Sequence, residues 1–323
     1  MKLKILSIIS LAALLASCNG QGTTSGEPGE YNRSSLSIIA PTGAPALAFY
    51  NYAGLSNFET NSVPTNIVSM MAAGQKDVIV LPTNAGMQTI IKNSSAPYKI
   101  AATITFGNFY IASMGNDEDN IMNAGDTILL FQQNNVPDKI FHYIYGNDLD
   151  AGIHYVNAVS DAASALIGGT FVDSETGTNM VPNYVMIAEP ALTNVLSRKD
   201  NVTVYANIQE KYKEKSENKE MFQASVFVSD RANKENVKAF LSSLKEDIEG
   251  AIADPSKLSA GMNKAGDSAS EIFGVAPSMA ENVMRKNNGM GLGFKYAKEN
   301  KEAIENFLTI FNINEVSEAV YFE

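Results

Sequence analysis

The side chains that most often perform catalysis are scarce in this sequence. Its 323 residues include one cysteine, Cys18, two histidines, His142 and His154, and no tryptophan. One cysteine excludes an internal disulfide and a thiolate zinc cluster within one chain, and neither histidine has an Asp, Glu or Cys neighbour at metal-ligand spacing. The run Asp117–Asp119 lacks the glycine and terminal glutamate of a calcium loop. We therefore expect structural histidines, a solvated acidic connection, no metal, no cofactor and no enzyme activity.

Polar loops follow three apolar segments, and each segment is predicted to be a strand that leads into a helix. The loops are Pro41–Pro45, Pro82–Gly86 and Gln132–Pro137. Free N–H groups at a helix N-terminus bind polar or anionic groups, and open α/β sheets bind ligands at the carboxyl ends of their strands. The loops therefore predict a solute site. Three well-formed strand–helix turns without a ligand are the alternative.

The distribution of charge narrows the possible partners. The chain has 35 acidic and 24 basic residues and a formal charge of −11, which disfavours a nucleic-acid partner because the phosphate backbone needs clustered Lys and Arg. Arg and Lys are scarce in the three loops, whereas a dianionic ligand usually recruits an arginine. The composition favours a neutral, heteroaromatic or singly charged solute.

The N-terminus is predicted to be a targeting signal. Residues 1–17 contain two early lysines and then the apolar run Ile5–Leu15, which is shorter than the roughly 20 residues of a membrane-spanning helix. The run ends in Leu15-Ala16-Ser17-Cys18, which resembles the lipobox of bacterial lipoproteins, where the cysteine is acylated. An ordinary signal peptide is the alternative. We expect lipidation at Cys18 and a flexible tether over 18–32.

From Ser35 onward short apolar strands alternate with helical patterns, which is typical of an α/β protein. Thr65 is expected to cap one helix, Pro137 to open a second and Ser160 to cap a third. The predicted strands are Leu36–Ala40, Val78–Leu81, Ile100–Thr105, Phe109–Met114, Thr127–Phe131, Ile153–Val156, Tyr184–Ile187, Val202–Tyr205 and Ser225–Val228.

After Asp230 the pattern predicts helices and no strands. We expect these helices to return and pack on an early lobe, and the charged run Glu210–Glu220 to be a solvated helix or loop. The predicted amphipathic stretches are Lys234–Ala253, Leu258–Phe273, Pro277–Lys286 and Ala297–Phe311.

Several segments together resemble the type II periplasmic binding-protein fold. They are Ala40–Gly54, Asp77–Asn93, Tyr98–Ser113, Tyr155–Gly169 and Val185–Arg198. The greatest similarity is to solute-binding lipoproteins of ABC importers, in the group that includes nitrate, sulfonate, taurine and thiamine-pyrimidine binders. The resemblance implies two α/β lobes, each a mixed sheet flanked by helices, with the ligand in the cleft between them. Lobe one would comprise 33–109 plus 224–323, and lobe two 110–223.

The same resemblance implies which residues line the cleft. The hinge strands would be Thr105–Tyr110 and the neighbourhood of Gln223–Ser225. Glu189 either accepts hydrogen bonds from ligand amines or begins a helix. The implied ligand-binding residues are Thr42, Gly43, Ala44, Thr83, Asn84, Ala85, Asn108, Tyr110, Asn134, Asn135, Val136 and Glu189.

Two further features leave alternatives open. Aromatic residues near strand ends either stack on a flat ligand or pack in the core and hinge; they are Tyr50, Tyr52, Phe106 and Tyr110. The polar segment Phe171–Pro182 replaces the short turn usual in similar proteins. We expect an exposed insertion there, with a role in cleft closure as the alternative.

The predicted function is that of an extracytoplasmic receptor, lipid-anchored to a bacterial membrane. It would capture a small solute as a monomer, close around it and deliver it to the transmembrane subunits of an ABC permease. One alternative is an enzyme of cofactor biosynthesis on the same fold, although the pyrimidine-forming branch uses a cysteine-rich motif that this chain lacks. The other alternative is a surface lipoprotein with a protein partner.

Overall fold

The computed structural model describes residues 31–323 except 94–95, 116–121, 123, 174 and 287. The predicted signal peptide, Cys18, the tether up to residue 30 and the acidic run Asp117–Asp119 lie outside the described residues. Among the residues described, no helix is both long enough and apolar enough to cross a membrane.

Two mixed sheets and a short hairpin contain the strands. All nine predicted strands are confirmed, with small shifts at their ends. The strands are β1 Ile38–Pro41, β2 Phe58–Asn61, β3 Val78–Pro82, β4 Tyr98–Thr105, β5 Phe109–Met114, β6 Thr127–Phe131, β7 Gly152–Val156, β8 Phe171–Val172, β9 Asn179–Met180, β10 Tyr184–Ala188, β11 Val202–Asn207, β12 Ala224–Ser229 and β13 Leu292–Tyr296.

Helices flank both sheets. Short 3₁₀ segments lie at Tyr50–Tyr52, Asn263–Ser268, Thr309–Phe311 and Glu318–Val320. The α-helices are α1 Ala44–Leu47, α2 Pro64–Ala72, α3 Thr83–Lys92, α4 Val136–Tyr145, α5 Val159–Gly168, α6 Ala191–Leu196, α7 Ile208–Lys215, α8 Lys234–Ala253, α9 Ser256–Met262, α10 Ala269–Phe273, α11 Pro277–Arg285 and α12 Lys301–Leu308.

The strand directions place the polar loops at one edge of each sheet. Sheet one has the order β13-β4-β12-β3-β1-β2, and sheet two has the order β11-β5-β10-β6-β7. In sheet one, β1 to β4 are mutually parallel and β12 and β13 are antiparallel to them. In sheet two, β5 alone is antiparallel to the other four strands. The two-lobed α/β architecture with two mixed sheets is therefore confirmed, and the lobe boundaries given above stay a prediction.

Residues 106–108 make these two edges face each other. They join the carboxyl end of β4 in sheet one to the amino end of β5 in sheet two. The amino end of β5 lies at the same edge as the carboxyl ends of β6, β7, β10 and β11. The chain returns to sheet one through residues 216–223, which lead from α7 into β12. The facing edges and these two crossings are called the cleft below.

The C-terminal region differs from the sequence prediction in two ways. Residues Leu292–Tyr296 form β13, which pairs with β4 at the edge of sheet one, so the prediction of no strand after Asp230 was wrong. The last helices also contact the second sheet's helices: Phe307 of α12 lies against Tyr212 of α7, with ring centroids 6.2 Å apart, and the segment Thr309–Phe311 packs on α4. A single apolar cluster consequently extends from one sheet to the other.

Two predicted helix caps were wrong. The helix predicted to begin after Thr65 begins two residues earlier, with Val63 as its N-cap and Pro64 as its first residue. Ser160 lies inside α5, whose N-cap is Ala158. There the carboxylate of Asp161 accepts a hydrogen bond from the Ala158 N–H at 3.0 Å. The fixed backbone angle of Pro64 thus begins α2, and the Asp161 carboxylate caps α5, where hydroxyl groups of Thr65 and Ser160 were expected to cap these helices.

Both histidines contact carboxylates, contrary to the sequence expectation. His142 Nε2 lies 3.2 Å from Asp138 Oδ1, one helical turn away, and His154 Nδ1 lies 2.7 Å from Asp173 Oδ2. Asp173 begins the turn of the hairpin β8–β9 and accepts hydrogen bonds from Thr176 Oγ1 and Thr176 N. These bonds, with that from His154, hold the pKa of the Asp173 carboxyl well below its usual range. The segment Phe171–Pro182, which was expected to be an exposed insertion, thus contains the β8–β9 hairpin, and its Val172 and Val181 side chains are exposed.

A largely buried ion pair joins Arg33, near the start of the described residues, to α8. Arg33 Nη2 donates to both oxygens of Asp247 at 2.7 and 2.8 Å. Asn51 Nδ2 donates to Asp247 Oδ1 at 2.8 Å, and the Tyr50 hydroxyl donates to the Asp247 carbonyl at 3.0 Å. Asp247 is only 8% exposed, so its charge depends on these donors for stabilisation.

Replacing this arginine tests the ion pair. We expect Arg33→Ala to lower the free energy of unfolding in urea by about 2 kcal/mol, because Asp247 would keep its buried charge and lose its cationic partner. Lys211→Ala is the matched control, since it removes an exposed ion pair with Glu214 and should change stability by less than about 0.5 kcal/mol. Equal effects of the two substitutions would contradict this interpretation.

Candidate functional site

The structure places the predicted loops at the cleft edges of the two sheets. Residues 42–44 follow β1, and residues 83–85 form the first turn of α3. Residues 134–136 lead into α4 from β6, and Glu189 follows β10. Asn108 and Tyr110 flank the start of β5 at the crossing. The predicted residues therefore share the two facing edges, and their contact with a solute stays a prediction.

Close backbone packing shapes the first crossing. Gly107 has a φ of +103°, and the Phe106 N–H donates to the Gly291 carbonyl at 2.8 Å. A Cβ added at Gly291 would lie 1.9 Å from the Gly107 carbonyl oxygen, so only glycine fits there. Phe106 packs edge-on against Phe222 of the second crossing, with ring centroids 5.6 Å apart. The two crossings are thus packed against each other.

A chain of amide hydrogen bonds connects the two sheet edges through Asn108. Its side-chain Nδ2 donates to the Glu189 carbonyl at 2.8 Å, and the Glu189 N–H donates to the Asn108 carbonyl at 2.9 Å. Gln223 Nε2 donates to Asn108 Oδ1 at 3.2 Å, and the Thr83 N–H donates to the Gln223 carbonyl at 3.0 Å. Asn108 is 6% exposed. The site residues Thr83, Asn108 and Glu189 thus belong to one connected network, which includes Gln223.

The Glu189 carboxylate is engaged by its own helix. Its oxygens accept hydrogen bonds from Thr193 N at 2.9 Å and Thr193 Oγ1 at 2.8 Å, so the helix-start interpretation is the one that these contacts support. Burial raises the pKa of the Glu189 carboxyl, against the lowering effect of the Thr193 hydrogen bonds and the positive charge of Lys286. Burial and the Glu189 charge also raise the pKa of Tyr110 to about 12.

Two of the predicted anion-binding loops use part of their N–H groups within the protein. The Asn134 N–H donates to Asp138 Oδ2 at 2.7 Å, so a carboxylate of α4 already lies at the start of that helix. The Gly43 N–H donates to the Phe273 carbonyl at 3.0 Å, and α1 has only four residues. These contacts reduce what the two loops offer to an anionic ligand.

The third loop lies above a group of buried hydroxyls. Thr83 Oγ1 and Thr103 Oγ1 lie 2.7 and 2.8 Å from Ser225 Oγ, and all three residues are fully buried. The Thr83 N–H is bonded to Gln223. The following N–H groups, at Asn84 and Ala85, lie in the first turn of α3, where no intrahelical acceptor exists. The start of α3 is therefore the loop with the most donors open to the cleft.

Three polar atoms at the edge of sheet one are buried without a hydrogen-bond partner among the described residues. They are Asn84 Oδ1, Thr105 Oγ1 and Gln223 Oε1. Asn84 was predicted to be a site residue, whereas Thr105 and Gln223 were predicted only to belong to the hinge. A threonine at the end of an apolar strand gives no sequence signal that distinguishes a bonded hydroxyl from an unpartnered one.

The aromatic candidates have mixed placements. Tyr50 and Tyr52 are buried in the core of sheet one's helices, so the packing alternative describes them. Phe106 packs in the crossing and has Lys295 Nζ 5.9 Å from its ring centre. Tyr110 is partly exposed and is the one of the four that faces both Glu189 and the cleft end of β10.

The cleft edges contain no cluster of potential metal ligands among the described residues. No three His, Cys, Asp or Glu side chains converge within the described ranges. Surface cavities of about 270 to 630 Å³ lie elsewhere, for example beside α5 and beside residues 311–315. The polar groups at the facing edges therefore identify the candidate site.

Comparison with known proteins finds similarity in structure only. No protein-family profile and no curated protein matches the chain. An ABC transporter structure from Parabacteroides distasonis is 16% identical, with a TM-score of 0.66 over 90% of this chain and 99% of that chain. The periplasmic aliphatic sulphonate binding protein SsuA from Escherichia coli is 10% identical, with a TM-score of 0.60 over 86% and 87%.

A third solved structure is also similar. The ligand-binding component of an ABC-type import system from Staphylococcus aureus, with zinc bound, is 9% identical, with a TM-score of 0.57 over 88% of this chain and 95% of that chain. These similarities extend over nearly the whole described region. They show that the chain has the periplasmic binding-protein fold, as the sequence predicted.

The raised pKa of Glu189 predicts a pH-dependent stability. Between the unfolded value, near 4.5, and the higher folded value, the folded state binds more protons than the unfolded state, so stability falls as pH rises through this window. Gln cannot ionise. We expect Glu189→Gln to match the wild-type melting temperature at pH 4 and to exceed it at pH 7.

An exposed glutamate provides the control for this measurement. Glu249, which is 60% exposed on α8, should show no comparable difference between pH 4 and pH 7 when replaced by Gln. Melting temperatures at pH 4 to 8 for the three proteins give the answer. A Glu189→Gln protein that is less stable than wild type at pH 7 would contradict the burial argument.

Proposed function

We propose that the chain is the extracytoplasmic solute-binding lipoprotein of an ABC importer. It would bind a small polar or heteroaromatic solute as a monomer, without enzymatic turnover, and deliver it to the permease. The observation that carries this proposal is the pair of facing strand-end edges, joined by two crossings and rich in hydroxyl and amide groups. Open α/β sheets bind ligands at such edges.

The comparisons support the same function. One similar structure is described as an ABC transporter, a second as a periplasmic sulphonate binding protein and a third as the ligand-binding component of an import system. Their low identity leaves the solute open. The scarcity of basic residues in the loops favours a neutral or singly charged solute over a dianion.

The proposed mechanism is hinge closure. A solute that contacts both edges stabilises the conformation in which the edges are close, and its differential affinity for that conformation supplies the free energy. The residues proposed to contact it are those of the α3 start, Thr83–Ala85, the crossing residues Asn108 and Tyr110, and the loops at 42–44, 134–136 and 189. Closure would also present a defined surface to the permease.

Identification of a bound solute tests the proposal. We expect native mass spectrometry of the freshly purified full chain to release an unmodified small molecule. Adding that molecule back should raise the melting temperature and decrease the radius of gyration in solution scattering, because the ligand binds the closed form.

Other results would separate the alternatives. Conversion of the added molecule into a product would indicate the enzyme alternative. Absence of any released molecule, with no thermal shift from a broad metabolite panel, would contradict solute binding and favour a protein partner. Tight binding without compaction would contradict hinge closure alone.

Lipid anchoring has a separate test. We expect the mature wild-type chain, expressed in a bacterium, to begin at an acylated Cys18 and to partition into the detergent phase, since two or more acyl chains give stable anchoring. Cys18→Ser should lack the acyl mass and partition into the aqueous phase. Ser17→Ala, which keeps a small residue before the cysteine, should behave as wild type. A wild-type chain without acyl mass would contradict the anchor.

A further inference from the structure

The unpartnered atoms at the edge of sheet one belong to three residues that are backbone neighbours. The Thr83 N–H donates to the Gln223 carbonyl at 3.0 Å, which places Asn84 beside Gln223. The Gln223 N–H donates to the Thr105 carbonyl, also at 3.0 Å. Asn84, Thr105 and Gln223 are thus neighbours on the sheet-one side of the first crossing, and their Oδ1, Oγ1 and Oε1 atoms have no hydrogen-bond partner among the described residues.

The chemistry of Gln223 Oε1 is fixed by its neighbours. The Glu189 backbone carbonyl can only accept, so the Asn108 atom that contacts it at 2.8 Å must be the amide nitrogen. The other Asn108 side-chain atom is then an oxygen, and the Gln223 atom 3.2 Å away must be a nitrogen. The remaining side-chain atom of Gln223 is therefore an oxygen, which only accepts hydrogen bonds.

Burial without a partner makes these atoms informative. Thr105 is 0% exposed and its hydroxyl has no hydrogen-bond partner in the described part of the chain, whereas Thr103, two residues earlier on the same strand and equally buried, bonds Ser225 at 2.8 Å. A buried polar atom without a partner costs about 1–3 kcal/mol, and most such atoms in proteins are paired. A ligand that donates hydrogen bonds here would remove that cost.

We propose that Asn84, Thr105 and Gln223 form an acceptor subsite of the cleft, which binds a nitrogen group carrying N–H donors on the solute, such as an ammonium, amidinium, amide or amino-heterocycle. This inference rests on the proposed solute-binding function. A solute group that only accepts hydrogen bonds, such as a sulfonate or nitrate oxygen, could form no hydrogen bond with the Gln223 oxygen, which itself only accepts. Glu189 joins the same hydrogen-bond network through its backbone carbonyl and N–H, while its carboxylate is bonded to Thr193 on the facing edge.

Matched pairs of probes test the chemistry of the subsite. The pairs are benzamidine with benzoate and 2-aminoethanesulfonate with ethanesulfonate, titrated into the full chain by calorimetry. Within each pair the two probes have similar size, and only the first carries N–H donors. We expect the donor-bearing member to bind at least about ten-fold more tightly, which corresponds to about 1.4 kcal/mol.

Two threonine variants on one strand test the location. Thr105→Val removes an unpartnered hydroxyl, so the ligand-free melting temperature should stay level or rise while affinity for the donor-bearing probes falls about five-fold. Thr103→Val removes a bonded hydroxyl, so the melting temperature should fall while probe affinity is unchanged. This opposite pattern is not expected from a purely structural role of Thr105.

The outcomes separate this inference from the proposed function. Equal or tighter binding of benzoate or ethanesulfonate would overturn the acceptor subsite and leave solute binding in place. Unchanged probe affinity in Thr105→Val, or a loss of stability equal to that of Thr103→Val, would also overturn the subsite. If none of the four probes binds and no solute copurifies with the chain, both the subsite and the proposed function fall.

Discussion

The arrangement of the molecule depends on the shortness of the link between its two sheets. Residues 106–108 join β4 to β5, and a chain of that length spans at most about 14 Å between the residues that flank it. The second crossing ends beside the first, because the Gln223 N–H donates to the Thr105 carbonyl. Chain connectivity therefore brings the two strand-end edges together before any side chain makes contact. The same closeness requires glycine at position 291, since a Cβ there would collide with the Gly107 carbonyl oxygen of the first crossing.

At this crossing the polar side-chain atoms of Asn108 are hydrogen-bonded, whereas those of Thr105 and Gln223 are only partly so. Both side-chain amide atoms of Asn108 are bonded, and they orient the neighbouring Gln223. Gln223 uses its nitrogen for the bond to Asn108, and within the described ranges neither its oxygen nor the Thr105 hydroxyl has a hydrogen-bond partner. A fully satisfied network would stabilise the ligand-free protein more, since each bond contributes about 1 kcal/mol. A ligand that supplies hydrogen-bond donors would form these missing bonds, and their free energy would contribute to its affinity.

How much the sequence could predict depends on how local each signal is. Strands with continuous apolar runs were predicted, whereas Leu292–Tyr296 was not, because it mixes glycine and lysine with apolar residues and becomes a strand by pairing with β4. The loops of the candidate site were found from local polarity after strands. The Asp138 carboxylate that accepts from the Asn134 N–H could have been found from its four-residue spacing to Asn134, at the start of the predicted helix. Thr105 and Gln223 could not, since their unpartnered atoms are defined by tertiary neighbours.

The apolar contacts between the two sheets restrict how the proposed closure can occur. Phe307 of α12 packs on Tyr212 of α7, and Tyr212 in turn packs on Tyr143 of α4. Separation of these rings would expose apolar surface at a cost of roughly 25 cal/mol per Å². The lobes would therefore stay in contact along α12 while they rotate about the two crossings, with small sliding of packed helices. On this argument the edge residues farthest from α12 move most, and Asn108, at the crossing itself, moves least.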